Sequence, residues 1–125
     1  DQYSNDKKIT KSIEIIYGLR NFIGNANKFS SKNIYINLKS NNEITEIIIE
    51  DDGNGFPRDI LSKIGEPYLK SNNPIEKSKI GLGLGLFIGK TLLEKNFASI
   101  NCRNSETRTG AEIIIKWNNS DLLKI

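Results

Sequence analysis

Between Lys77 and Lys90 the chain reads KSKIGLGLGLFIGK, with Gly81, Gly83 and Gly85 two residues apart and an apolar run directly behind them. Alternation with period two ordinarily marks a strand with one apolar face. Glycine, however, weakens strand and helix interiors alike, because its backbone loses the most freedom on ordering. A glycine-rich segment entering a helix presents bare N–H groups and the positive end of the helix dipole, which suit phosphate. Two well-known phosphate-binding spacings do not fit. A P-loop needs a glycine, four residues and then Gly-Lys-Ser/Thr, and a Rossmann turn needs G-x-G-x-x-G after a strand. This segment is G-x-G-x-G after a loop. It is expected to cradle phosphate in another way, with Leu82, Leu84 and Leu86 anchoring it on the core.

The rest of the chain limits what such a cradle can serve. With 125 residues it is read as one domain with a real core, and 37% hydrophobic against 26% charged residues excludes a disordered chain. The longest apolar runs, such as Ile47-Ile48-Ile49, are too short to span a bilayer, and the polar start DQYSNDKKITKS carries no signal-peptide pattern. The net charge of +3 is spread among acidic residues, which reads as a solvated surface and not as a nucleic-acid footprint. There is no histidine and a single cysteine, Cys102, read as a small half-buried strand residue. Zinc sites, Ser-His-Asp triads and Cys-His pairs are thereby removed. Any metal must be hard and oxygen-bound.

Periodicity orders the elements. Ile9, Ile13, Ile16, Phe22, Ile23, Ala26 and Phe29 recur near helical spacing and predict a helix from about residue 8 or 11 to 29. Residues 33–40 and 43–51 alternate as strands around an Asn41-Asn42 turn. The stretch DGNGFPRDI then places Pro57 at the first position of a short helix ended by Gly65. Residues 66–80 read as a polar, mobile loop, 84–96 as a helix, and 99–104 with 110–118 as a closing hairpin. The fold class expected is α+β, a two-layer α/β sandwich in which a mixed sheet carries its helices on one face.

Two further stretches carry chemistry. Asn21, Asn25 and Lys28 lie at i, i+4 and i+7 and project from one helix face. Spacing leaves two readings level: solvent-facing filler, or amide oxygens for a hard cation with a lysine for phosphate. At 51–55, DDGNG leaves a strand with glycines that let another group approach the backbone. A carboxylate pinned there is a good acceptor for an exocyclic amino group, and an ordinary Asp-Gly turn is the alternative.

An asparagine box, D-x-G-x-G, a GEPY segment, a lid and G-x-G-x-G-L, in this order and spacing, resemble the GHKL ATPase superfamily. GNANKFS, DDGNGFP, GEPYLKS, GLGLGLFIGKTLLEK and GAEIIIKW are similar to the catalytic ATP-binding domain of sensor histidine kinases, in particular the redox-responsive RegB/PrrB/ActS branch. The resemblance runs from about residue 11 to 118. It implies the Bergerat fold, with residues 1–10 a residual linker, 11–120 the ATP-binding domain and 121–125 a tail.

Residue by residue, the resemblance implies ATP and Mg²⁺ as cofactors. Asn21 and Asn25 match the box asparagines, with Asn25 the magnesium ligand, and Lys28 matches the lysine on phosphate. Asp51 matches the acceptor of the adenine amino group, and Gly53 and Gly55 complete its turn. Gly81, Gly83 and Gly85, followed by Leu86, match the second glycine box. Gly110 matches the late glycine near adenine, and Lys70 stands where many relatives reach the γ-phosphate.

The resemblance also implies that the parent is a histidine kinase working as a homodimer, its kinase domain cytoplasmic and its anchor in the inner membrane. This chain alone is expected to be a monomer that binds ATP without phosphorylating itself. The partners implied are the parent's own dimerisation and histidine phosphotransfer domain, expected upstream, and a response regulator. Two readings stand beside it. One is an ATP-driven clamp or anti-sigma-type serine kinase, against which the neutral Asn21 counts, since an amide cannot take a proton from water. The other is a degenerate module that only binds partners.

Overall fold

The computed structural model describes residues 12–61 and 80–125. In chain order these form α1 (Ile13–Phe29), β1 (Ile34–Ser40), β2 (Ile44–Asp51), α2 (Arg58–Leu61), α3 (Ile80–Lys95), β3 (Ser99–Asn104), β4 (Ala111–Asn118) and α4 (Asn119–Leu122). The first helix starts where its cap is. Ser12 is extended, and its Oγ accepts from the Ile15 N–H at 3.4 Å. From there Ile15, Gly18, Phe22 and Ala26 form one buried stripe, while Ile13 and Ile16, also part of the apolar periodicity, remain exposed.

The first hairpin closes through Asn41, whose Oδ1 accepts from the N–H groups of Glu43 and Ile44 at 2.8 and 2.9 Å. This side-chain turn is the reason asparagine serves there. β1 pairs with β2 from Ile34 opposite Asp51 to Ser40 opposite Thr45. The second hairpin, β3 with β4, lies beside it through β2–β4, giving the order β1-β2-β4-β3. The sheet is thus antiparallel throughout the described strands, where a mixed one was expected. Two hairpins joined through their second strands alternate in direction at every pair.

One face of this sheet is covered. Ile49, Ile113, Ile115 and Trp117 are buried there under Phe22 of α1 and Leu86 and Leu93 of α3. The result is helices packed on an antiparallel sheet, an α+β fold.

The glycine-rich segment differs from expectation. It does not precede a helix but forms one from Ile80, so Gly81, Gly83 and Gly85 lie in the first two turns of α3. Close packing offsets the low helix propensity of glycine. A Cβ at Gly89 would come within 2.8 Å of the Phe22 ring, and one at Gly18 within 2.7 Å of Leu93, so the two helices cross almost backbone to backbone. Pro57 lies one position earlier than expected, before α2 at Arg58, and its carbonyl accepts from Leu61 N–H at 3.0 Å. Gly65 lies outside the described residues.

Asp52 ties the α1–β1 connection to the end of β2. Its carboxylate accepts from the backbone N–H groups of Ser31, Lys32 and Asn33 at 2.8 to 3.0 Å. The Lys32, Asn33 and Ser31 amides hold this carboxyl below its ordinary value of 3.8. A depressed folded value means the stabilisation is complete above the unfolded value and disappears as pH falls through the folded one. Asp52→Asn is therefore expected to lower the melting temperature at pH 7, with the gap to the parent closing below about pH 4. Thermal melts at pH 7, 5 and 3 check it; a gap that does not change with pH would show that the charge is not responsible.

Candidate nucleotide site

The sheet's period-two alternation brings Ile49 and Asp51 of β2 and Ala111 and Ile113 of β4 to the helix face at one end of the sandwich. There they meet Asn25, Ala26 and Phe29 of α1, Leu86 of α3, and the turn carrying Asn54, Gly55, Phe56 and Pro57. Together these line a cavity of about 270 Å³. Its walls are mostly apolar, with a few polar groups, the usual make-up of a small-molecule pocket.

Asp51 is the buried charge of this cavity, 4% exposed. Its Oδ1 accepts from the Gly53 N–H at 2.8 Å and from the Ala111 N–H at 3.3 Å. Among the described residues no donor reaches Oδ2. Neighbouring glycines permit this placement: a side chain at Gly53 would overlap the Phe29 carbonyl, and one at Gly110 would overlap the Asp51 backbone and carboxylate. Gly55 sits at φ +79°, a conformation that glycine enters without steric cost.

Asn25 brings the second feature. Its Nδ2 is buried without a hydrogen-bond partner among the described residues. It lies where a side chain at Gly85 would come within 2.7 Å, so the bare α3 backbone makes room for it. A buried unpaired amide is costly, and a bound group is one way to satisfy it.

The other expected residues spread out. Asn21 donates Nδ2 to the Tyr17 carbonyl at 2.8 Å and does not line the cavity. Lys28 is exposed, its ammonium 5.3 Å from the Phe29 ring centre. Gly81 and Gly83 occupy the first turn of α3. Lys70 and the GEPY segment, with the lid over residues 66–79, lie outside the described residues. Cys102 is half-buried, and burial pushes its thiol up to about 11, which keeps it protonated at neutral pH.

Sequence reasoning missed Phe29, Ile49, Phe56, Pro57, Ala111 and Ile113 as pocket walls. The alternation of β2 and β4 carried the signal for the strand residues, because it puts Ile49 on Asp51's face. It also missed what fixes the β3–β4 turn beneath Asp51. Ser105 Oγ donates to Glu50 at 3.0 Å, Arg108 pairs with Glu50 at 3.4 Å, and the Arg108 guanidinium lies 3.6 Å from the Tyr35 ring centre.

Among the described residues no three His, Cys, Asp or Glu side chains gather as a metal cluster, and no helix is long and apolar enough to cross a membrane. Residues 10–120 match the family described as histidine kinase-, DNA gyrase B-, and HSP90-like ATPase. The chain is 37% identical over 102 residues to the sensor histidine kinase RegB of Cereibacter sphaeroides, covering 78% of this chain and 22% of that protein. It is 34% identical over 86 residues to the sensor protein KdpD of Clostridium acetobutylicum, covering 67% of this chain and 10% of that protein. It therefore spans less than a quarter of the length of these relatives. Among solved structures it is similar to the mycobacterial sensor histidine kinase MprB, with TM-score 0.69, 21% identity and 88% and 76% of the two chains covered. The catalytic domain of the histidine kinase ThkA gives a TM-score of 0.65 at 21% identity, covering 85% and 66%.

Proposed function

We propose, from the premise that this chain belongs to the family of histidine kinase-, DNA gyrase B- and HSP90-like ATPases, that it binds Mg-ATP for a sensor histidine kinase. The observation that carries the reading is Asp51. A buried carboxylate with one oxygen fixed by two backbone N–H groups, and the other open to an apolar slot, matches the exocyclic amino group of a purine. Asp51 then selects adenine, Phe29, Ile49 and Phe56 flank the base, and Gly53, Gly55 and Gly110 give the backbone clearance that the slot requires. The bare first turns of α3, at Gly81, Gly83 and Gly85, face the phosphates with a helix N-terminus. Lys28 and Lys70 supply positive charge there.

The residues fit a magnesium ion. An amide oxygen is a hard ligand, Asn25 lines the cavity, and magnesium typically needs few protein ligands beside phosphates and water. When bound, the ion neutralises charge on the phosphates. Asn25 would hold it through Oδ1.

The chain contains no histidine, so the phosphoacceptor lies on another part of the parent, its dimerisation domain. Asn21 is a neutral amide, which leaves no base at that position to activate water. The γ-phosphate therefore goes to the acceptor histidine, and later to a response-regulator aspartate. The parent works as a homodimer, anchored in the membrane with this domain on the cytoplasmic side.

Calorimetric titration of the chain with a non-hydrolysable ATP analogue, with magnesium and then with chelator, tests the reading. Saturable binding is expected, and none at millimolar nucleotide would favour a partner-binding module. Asn25→Ala should reduce affinity on the order of tenfold with magnesium present and much less in chelator. An equal drop in both conditions would remove Asn25 as the ligand.

A further inference from the structure

We propose that Asn104 is a positioning residue that sets the purine end of this pocket, an inference that rests on the nucleotide-binding reading above. Asn104 closes β3, 48 residues from Phe56 in the chain, and its amide takes both backbone groups of Phe56. Oδ1 accepts the Phe56 N–H at 2.6 Å, and Nδ2 donates to the Phe56 carbonyl at 3.0 Å. A side chain thus does for Phe56 what a neighbouring strand would do. Among the described residues no backbone group bonds Phe56, although the residue is only 6% exposed. Buried backbone groups need partners, and Asn104 supplies both. The turn also passes directly over this amide: a side chain at Gly55 would come within 2.6 Å of Asn104 Oδ1.

The place of Asn104 in the sheet gives the clamp its functional weight. Asn104 faces Ala111 across the last rung of the β3–β4 ladder. Ala111 in turn donates to Asp51 Oδ1. One rung therefore holds both sides of the slot: Asp51 through the backbone of Ala111, and Phe56 with Pro57 through the side chain of Asn104. Asn104 does not line the cavity, so it acts through the residues that do. Their separation decides whether a purine can reach Asp51 while packed on Phe56, and small misplacements of positioning groups are costly.

The test compares an ATP analogue with GTP by calorimetry on the whole chain, for the parent, Asn104→Ala and Asn104→Asp, with circular dichroism establishing that each is folded. Asn104→Ala should weaken ATP-analogue binding roughly tenfold and reduce the preference over GTP by a similar factor, because the purine-reading end is what loosens. Asn104→Asp keeps an acceptor for the Phe56 N–H but sets a carboxylate against its carbonyl, so it should shift the preference the same way. It also carries the test if the alanine variant does not fold. A residue that only supports the fold would lower the melting temperature and leave the preference of the folded protein unchanged. That outcome overturns the inference, as does unfolding of both variants under conditions where the parent is folded. If the parent binds no nucleotide, the inference falls with the reading beneath it. Parental binding with an unaltered preference in the variants overturns this inference alone.

Discussion

Asp51→Asn should leave the fold standing and weaken binding of an ATP analogue by roughly 10- to 100-fold, the worth of a hydrogen bond to a charged group of about 1.5–3 kcal/mol. The fold survives because asparagine Oδ1 can go on accepting from the Gly53 and Ala111 N–H groups. The damage falls on the open position, where an amide nitrogen replaces Oδ2 and meets the adenine amino group donor to donor. Guanine presents a carbonyl at that position, so the preference for ATP over GTP should shrink or reverse. Calorimetry with both nucleotides, beside a circular dichroism spectrum of the variant, measures it. Retained selectivity for ATP in a folded Asp51→Asn protein would remove Asp51 from adenine recognition.

Trp117→Ala should cost about 3–5 kcal/mol, against a total of about 5–15 kcal/mol for an ordinary domain. Trp117 is fully buried on the helix face of β4, directly opposite Thr45, and its Nε1 donates to the Asn96 carbonyl at 3.0 Å. Truncation leaves a large cavity and takes away that carbonyl's donor, and the surrounding sheet and helix can collapse into the space only in part. The variant should reach its unfolding midpoint only if the parent lies near the lower end of that range, about 5 kcal/mol. Trp117→Phe fills most of the space and should lose much less. Urea titrations followed by far-ultraviolet circular dichroism distinguish the two, since the chain has no other tryptophan to report by fluorescence. A loss below about 1.5 kcal/mol for the alanine variant would mean that the site repacks around the gap.

Much of the architecture was legible from residue order. The strand alternations of 34–40, 44–51, 99–104 and 111–118 fall within a residue of expectation, because a strand with one buried face imposes period two on its own sequence. The candidate site was legible in part for a different reason. Asp51, Gly53 and Gly55 form a local turn whose chemistry is written in five consecutive residues, and family resemblance connects them to Asn25 and Gly85. Asp52, the unspecified position of D-x-G-x-G, holds the α1–β1 connection across about 20 residues of chain. Nothing in its own neighbourhood names that partner.

The amino-acid sequence by itself determined the period of each element, the turn chemistry at Asn41 and Asp51, and the absence of an acceptor histidine. These depend on backbone preferences and side-chain types within a few residues of one another. The tertiary structure alone decided that α3 begins at Ile80 and so takes in Gly81 and Gly83, and that Asn25 and Phe22 occupy the space of side chains at Gly85 and Gly89. It alone decided that two hairpins meet through β2 and β4, and that Asn104 holds Phe56. Those outcomes arise from close packing between segments far apart in the chain, where shape and an unmet hydrogen bond select the partner and no local pattern records the choice.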